Sequence, residues 1–228
     1  MTRSVADAAH APRVVQHADP VAQAVSLVVG RLTSVQSPRL AVPGGSAAAA
    51  VGPIREALGA RWSDVLLTYT DERCVPYASE DSTRGALHRE GALLASHPPA
   101  YELPLYQDGE RPHVAAMRAS LPFRRRFDAR LDVALLGLGP DGHVASLFPG
   151  HPDPGPETYI AHVDDSPKPP AARVTLTRHA LMRAGLCVVL AFGEAKREAL
   201  ERALRGAPSL PTTGLPHLVF VTDQDVSP

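Results

Sequence analysis

Short and almost wholly apolar segments alternate along this chain with segments of helical pattern, and this alternation constrains the fold more than any other feature. Two of the apolar segments are Leu131–Leu138 (LDVALLGL) and Leu186–Phe192 (LCVVLAF). Neither shows the regular alternation of apolar and polar residues typical of a sheet with one exposed face, so both are typical of a parallel sheet covered on both faces. Strands that alternate with helices predict an α/β fold, with a doubly wound, mostly parallel, Rossmann-like sheet flanked by helices.

The remaining elements follow from the same patterns. Prolines interrupt or bound several of them, because proline removes a backbone donor and limits the residue before it. The further predicted strands are Arg39–Pro43, Asp64–Thr70, Val174–Thr177 and Leu218–Val221. The predicted helices are Ala47–Leu58, Asp81–Ala95, Glu194–Leu204, and two pieces, His113–Ala119 and Phe123–Ala129, separated at Pro122. Two segments rich in proline and glycine, Pro98–Pro112 and Pro149–Pro170, are predicted to be loops.

Length and composition limit the classes of function. The 228 residues predict a single α/β domain over residues 1–228. A formal net charge of −1 disfavours a nucleic-acid partner, and no uncharged apolar run approaches the ~18 residues that a membrane span needs. Two cysteines and no secretory signal pattern indicate a cytoplasmic protein without a disulfide framework. A monomer or weak homodimer is expected.

The residues that follow each strand are the candidates for chemistry, because ligands of open α/β sheets bind beyond the carboxyl ends of the strands. Gly44, Gly45 and Ser46 follow the first predicted strand and precede a helix, an arrangement that favours phosphate binding. The alternative is a tight turn in which Ser46 caps the helix. Asp71 and Arg73 follow the next strand, where the guanidinium suits a phosphate or carboxylate and a neighbouring acid orients it. The alternative there is a solvated turn with an internal ion pair.

The segment after Leu131–Leu138 is the most informative. Its glycines formally satisfy the G-x-G-x-x-G dinucleotide pattern, but Asp141 would repel a pyrophosphate and the following helix would break at Pro149. The better interpretation is a turn, with Gly142 in it, that places His143 at the start of a short helical turn, where the helix end lowers the pKa of the imidazole. A neutral imidazole is what a general base requires. The alternative is a purely structural histidine.

A proline-stiffened loop carries the last candidates. Lys168 stands between Pro167 and Pro169, and Arg173 follows shortly after, so both cations suit a phosphate or a developing oxyanion. Lys168 as a plain surface lysine is the alternative. Patterns of serine hydrolases, familiar zinc sites and paired cysteines are missing from the sequence, which argues against these classes but not against every metal, and no metal site is predicted. Cys74, with no assigned histidine partner, is expected to be a bystander and Cys187 a core residue.

Taken together, four blocks in order resemble the 6-phosphogluconolactonase family, the lactone hydrolases of the oxidative pentose phosphate pathway. The blocks are Pro43–Ser46, Trp62–Ser82, Phe127–Gly150 and Asp165–Thr177. Three departures from the usual pattern are Ala47-Ala48 for Thr-Pro, Thr83 for Asn and Val144 for Thr.

The resemblance implies a fold shared with glucosamine-6-phosphate deaminase and ribose-5-phosphate isomerase. It also implies 6-phospho-D-glucono-1,5-lactone as the substrate and no required cofactor. By motif position, the catalytic histidine falls on His143. The sugar-phosphate contacts fall on the Gly45–Ser46 turn, Arg73, Lys168 and Arg173.

The resulting hypothesis is that His143 takes a proton from the water that attacks the lactone carbonyl, with Asp141 orienting the turn or the ring. Two alternatives stay open. One is an aldose–ketose isomerase or deaminase acting on an amino sugar phosphate, for which Asp71 is the candidate base. The other is a non-catalytic sensor of sugar phosphates.

Overall fold

The computed structural model describes residues 12–154 and 157–226, which form two β-sheets and flanking helices. The strands, numbered in chain order, are β1 (Arg13–Gln16), β2 (Arg39–Val42), β3 (Leu66–Tyr69), β4 (Asp71–Arg73), β5 (Tyr101–Leu103), β6 (Val133–Gly137), β7 (Ile160–Val163), β8 (Arg173–Leu176), β9 (Cys187–Leu190) and β10 (Leu218–Thr222). The α-helices are α1 (Pro20–Leu32), α2 (Val51–Leu58), α3 (Thr83–Arg89), α4 (Pro112–Arg126), α5 (Arg178–Leu181) and α6 (Arg197–Leu204). Short 3₁₀ segments cover residues 45–50, 59–64 and 194–196.

The main sheet has seven strands in the order β1-β10-β9-β6-β2-β3-β5, and every neighbouring pair is parallel. The central strands β6 and β9 are almost wholly buried, as their continuous apolar runs require. The predicted parallel α/β sheet is therefore confirmed.

A second, three-stranded antiparallel sheet, β4-β8-β7, starts where the main sheet ends. Strand β4 follows β3 after a single residue, Thr70, whose carbonyl accepts a hydrogen bond from Leu176 N at 2.8 Å. The small sheet is thus fixed to the carboxyl end of β3. The loop between β7 and β8, which carries Lys168, is held at the same edge of the main sheet.

The predicted break at Pro122 is wrong, because α4 runs without interruption from Pro112 to Arg126. Ala119 and Phe123, on either side of the proline, are fully buried. This burial holds the helix together although Pro122 removes one backbone hydrogen bond. The side chain of Arg118, one turn earlier, is also anchored, since it binds Glu110 and the carbonyls of Pro104 and Leu105.

The two segments predicted to be loops each contain a short strand. Tyr101–Leu103 pairs with β3, and Ile160–Val163 pairs with β8. Strands of three or four residues carry too little periodicity to stand out from a proline-rich background. No helix among the described residues is long and apolar enough to cross a membrane.

Candidate active site

The site lies where the order of the main sheet reverses. Strands β2 and β6 are neighbours, but the chain proceeds from β2 outwards through β3, and from β6 in the opposite direction through β9. At such a reversal the loops that leave the two strands separate and open a crevice, which is the usual ligand site of this architecture. A cleft of about 570 Å³ occupies this position, and the ends of both strands line it.

Two glycines shape the turn that follows β6. Gly142 has φ of +95°, a conformation that side chains rarely adopt. A Cβ atom on Gly139 would lie 2.0 Å from Nδ1 of His143 and 2.5 Å from Oδ1 of Asp141. The absence of a side chain at Gly139 therefore leaves the space in which Asp141 and His143 meet.

His143 and Asp141 form a close pair, which Lys168 joins from the other sheet. Oδ1 of Asp141 lies 2.6 Å from Nδ1 of His143 and 3.0 Å from Nζ of Lys168, and Nζ lies 3.3 Å from Nδ1. A carboxylate accepts, so the hydrogen-bond network assigns the imidazole proton to Nδ1. Nε2 is then the unprotonated nitrogen, and no hydrogen bond within the described part of the chain engages it.

The pKa of His143 is lowered, but not by the cause that the sequence suggested. Residues 143–149 form turns, with an isolated bridge between Val144 and Leu147, and the predicted helical turn after His143 is absent from this described segment. Burial lowers the pKa of His143 below its usual 6.5, Asp141 acts to raise it, and Lys168 lowers it further. The direction in which the pKa of His143 was predicted to shift agrees with the structure. The predicted cause, the dipole of a following helix, is wrong.

The pKa of Asp141 is shifted in the same direction. Burial acts to raise this pKa, but the hydrogen bonds and charges of His143 and Lys168 outweigh it and lower the value to about 2. Asp141 is therefore ionised near neutral pH, where it holds the ring of His143 and stabilises a positive charge on it.

On the other side of the cleft, Gly44 leads from β2 into a 3₁₀ turn that begins with Gly45 and Ser46 and continues into α2. Gly45 has φ of +62°. The alternative in which Ser46 caps the helix is not seen, because Gly44 is the N-terminal capping residue and no side chain caps it. Gly45 and Ser46 are exposed along the wall of the cleft, so their backbone and the serine hydroxyl are accessible to an anion.

Arg73 also lines the cleft, but neither neighbouring acid orients its guanidinium. Nη1 of Arg73 donates to the carbonyl of Asp81 at 2.8 Å, and Nε is buried without a hydrogen-bond partner. The Glu72 carboxylate instead accepts the backbone N–H groups of Thr83 and Arg84 at 2.7 and 2.8 Å. Glu72 therefore anchors the beginning of α3, while Arg73 retains donor capacity towards the cleft.

Asp71 is buried and its carboxylate is already occupied. Oδ2 accepts from the hydroxyl of Ser146 at 2.7 Å and from Nη1 of Arg173 at 3.5 Å. Asp71 and Arg173 both reach the cleft wall, yet each is less than a tenth exposed. The resemblance implied a sugar-phosphate contact for Arg173, and the sequence made Asp71 a candidate site residue beside Arg73. The structure places both at the cleft but within a network of protein contacts.

Lys196 is a cation of the cleft that the sequence analysis did not single out. It lies in the 3₁₀ segment that follows β9, and β9 is the neighbour of β6 in the main sheet. Its side chain lines the same cleft as Gly45 and Arg73. Burial lowers its pKa, and the nearby charge of Lys168 acts in the same direction. The available signal was its place shortly after an apolar strand, in a chain that has 21 arginines and two lysines.

The cysteines and metal-binding side chains add nothing to the cleft. Burial raises the pKa of Cys74 to about 12, so its thiol is not a ready nucleophile, and Cys187 is buried in β9. Among residues 12–154 and 157–226, no group of three or more His, Cys, Asp or Glu side chains is placed to hold a metal ion.

Comparison with known proteins places the chain in a family. The family model for glucosamine-6-phosphate isomerases/6-phosphogluconolactonase matches residues 15–220. The chain belongs to this family. A 6-phosphogluconolactonase of Caulobacter vibrioides is 34% identical over 209 residues, which cover 84% of this chain and 85% of that protein. The family expected from the sequence blocks is thus confirmed.

Solved structures show the same fold. A 6-phosphogluconolactonase of Thermotoga maritima superposes with a TM-score of 0.77 at 23% identity, over 92% of this chain and 96% of that one. A monomeric glucosamine-6-phosphate deaminase superposes with a TM-score of 0.73 at 14% identity, over 92% and 96%. The fold expected to be shared with the deaminases is therefore confirmed.

Proposed function

We propose that this chain hydrolyses 6-phospho-D-glucono-1,5-lactone to 6-phospho-D-gluconate, with His143 as the general base. The lactonase activity is supported by family membership and by a relative of that name aligned over most of both chains. The role of His143 rests on one observation, the 2.6 Å contact between its Nδ1 and Asp141. That contact leaves Nε2 unprotonated and available to a water molecule in the cleft.

In the proposed reaction, Nε2 of His143 takes a proton from water as the water oxygen attacks the lactone carbonyl. The carbonyl becomes a tetrahedral oxyanion, while Asp141 stabilises the imidazolium that forms. The imidazolium then returns the proton to the ring oxygen as the C–O bond breaks, which yields the open-chain acid. A general base of this kind contributes about 10²–10⁴-fold to the rate.

The phosphate of the substrate would lie among four residues that line the same cleft as His143. Gly45 and Ser46 offer backbone and hydroxyl donors, Arg73 offers positive charge from β4, and Lys196 offers it from the 3₁₀ segment after β9. Lys168 stands closer to the chemistry, since its ammonium already bridges to Asp141. We therefore assign the phosphate to the first four residues and assign Lys168 to the reacting end of the substrate.

The deaminase or isomerase alternative requires a free carboxylate above the substrate. Asp71 was the candidate, but its Oδ2 accepts hydrogen bonds from Ser146 and Arg173, and it is buried. This arrangement disfavours Asp71 as a base. Incubation with glucosamine 6-phosphate and measurement of released ammonia would detect such an activity directly.

The test of the proposal is a coupled assay in which glucose-6-phosphate dehydrogenase generates the lactone in situ and its disappearance is followed. The wild-type chain should accelerate this disappearance and His143→Asn should abolish most of the acceleration. His113→Asn, at an exposed position on α4, is the matched control and should keep wild-type turnover. Turnover of His143→Asn within threefold of wild type would refute the general-base role. Binding of 6-phosphogluconate without any turnover by the wild type would instead favour the sensor.

A further inference from the structure

Arg173 differs from the other cations of the cleft in what its guanidinium touches. Nε donates to the carbonyl of Pro170 at 3.1 Å, and Nη2 donates to the carbonyls of Lys168 and Pro169 at 3.1 and 3.2 Å. Nη1 faces Asp71 at 3.5 Å. Three successive carbonyls of one loop thus converge on a single planar group, whose fixed fork suits such an arrangement.

Burial also distinguishes Arg173 from Lys168. The Arg173 side chain is 4% exposed, compared with 39% for Lys168. A phosphate that bound Arg173 directly would have to compete with four existing contacts at a buried position. Replacing these part-buried contacts by a phosphate would release the loop carbonyls that Arg173 holds.

Two paths lead from Arg173 to His143. The first runs through the Lys168 backbone, since the loop that Arg173 holds carries the ammonium that lies 3.0 Å from Asp141. The second runs through Phe148, whose ring centroid is 5.9 Å from the Arg173 guanidinium and 4.9 Å from the His143 ring. Arg173 therefore lies against two of the residues next to the His143 ring, Lys168 through its backbone carbonyl and Phe148 through its ring face.

We propose that Arg173 is a positioning residue that fixes the Lys168 loop, and that it acts on the reaction through Lys168 rather than by binding the substrate phosphate. The proposal rests on the proposed lactonase function for its kinetic consequences alone. In the absence of Arg173 the loop would be released and the Lys168 ammonium would leave Asp141. The resemblance had implied a sugar-phosphate contact for this arginine.

The charges that face His143 determine how its pKa should respond to the loss of Lys168. They are Asp141 on its own turn, Lys168 on the loop before β8 and Asp71 on β4. Lys168 lowers the pKa of His143, whereas the two carboxylates raise it. Either removal or displacement of the Lys168 ammonium should therefore raise the pKa of His143.

The experiment follows the His143 ring signals by NMR during a pH titration of the full chain, so the readout does not depend on activity. Lys168→Met should raise the midpoint. Arg173→Gln and Arg173→Lys should raise it too, because neither can hold three carbonyls. The double variant Arg173→Gln/Lys168→Met should show no greater shift than Lys168→Met alone.

The charge-conserving variant separates this proposal from a direct field effect. If the positive charge of Arg173 acted on His143 by itself, Arg173→Lys would keep the wild-type midpoint and the double variant would be additive. Either result would overturn the proposal. Arg55→Gln is the matched control, because Arg55 is another buried arginine that binds two carbonyls, those of Gly91 and Ala92. It should leave the His143 midpoint unchanged.

A measurement on the wild-type chain covers the case in which Arg173 variants fail to fold. The Nε–H signal of Arg173 should keep its position when 6-phosphogluconate is added to saturation, while signals of the Gly45–Ser46 turn move. Movement of the Arg173 signal comparable to theirs would show a direct phosphate contact and would refute the proposal. Failure of the lactonase assay alone would leave these NMR results, and the positioning role, intact.

Discussion

Nδ1 of His143 lies 2.6 Å from Oδ1 of Asp141, two residues earlier on the same turn. The pair is therefore formed by local backbone geometry, and Lys168 is added to it from the small sheet. Because Asp141 raises the pKa of His143 while Lys168 lowers it, the two partners act on the imidazole in opposite directions. This opposition makes the site testable by its pH dependence.

For the wild-type chain, we expect kcat/KM to stay on its plateau at pH 7 and to fall on acidification with an apparent pKa below 6.5. The pKa of His143 is lowered from 6.5, and the neutral imidazole is the active form, so protonation removes activity only under more acidic conditions. A pH profile of lactone hydrolysis from pH 4.5 to 7.5, at constant ionic strength, measures this apparent pKa. An acid limb with a midpoint above 6.5 would contradict the assignment.

Asp141→Asn should lower kcat by about 10²- to 10⁴-fold, because the imidazolium loses its stabilising charge and the ring loses its fixed tautomer. It should also shift the pKa of His143 further down, since the carboxylate that raises it is gone. Steady-state kinetics with an NMR titration of the His143 ring measure both effects. Near-wild-type kcat together with an unchanged midpoint would exclude a catalytic role for Asp141.

Gly139→Ala should lower kcat by roughly a hundredfold, because its methyl group would occupy the space where Asp141 and His143 meet. The matched control is Gly30→Ala near the end of α1, where nothing lies within 4 Å of the added atom. That control should keep its kcat and gain up to about 1 kcal/mol in the free energy of unfolding. Chemical denaturation and the coupled assay test the two variants side by side. Equal kcat values for both variants would show that a methyl group at residue 139 does not disturb the contact between Asp141 and His143.

Lys196→Met should raise KM for the phosphorylated lactone by about ten- to hundredfold with little change in kcat, as expected for the loss of a charge-assisted hydrogen bond. The unphosphorylated glucono-1,5-lactone should not distinguish the variant from wild type. Arg205→Met, at an exposed position that pairs with Glu201, serves as the control. Equal losses on both lactones would place Lys196 at the reacting end instead.

The long apolar segments made the main sheet predictable from the sequence. Strands such as β6 and β9 are continuous runs that a doubly covered sheet requires, and the family blocks located His143, Arg73 and Lys168. Short elements were not predictable in the same way. Tyr101–Leu103 and Ile160–Val163 become strands because neighbouring strands pair with them, and Pro122 stays in a helix because buried neighbours hold it there.

The contacts between the site residues were harder to predict from the sequence than the identities of those residues. Sequence placed Asp71 beside Arg73, but folding pairs Asp71 with Ser146 and with Arg173, 75 and 102 residues away along the chain. It also brings Lys168 to Asp141 across 27 residues. Such distant partners depend on the attachment of the small sheet to β3, which no local pattern reveals. Lys196 was missed because its segment was read as an ordinary helix.

The proposed general base with its carboxylate partner and the proposed anion-binding groups differ in where the chain supplies them. Asp141 and His143 come from one tight turn, whereas Ser46, Arg73 and Lys196 come from the ends of three separate strands. Under the proposed roles, mutations in one anion-binding loop would alter which sugar phosphate binds without disturbing the turn that carries His143. Descendants of such a scaffold would then diversify their substrates while they inherit an unchanged hydrolytic turn.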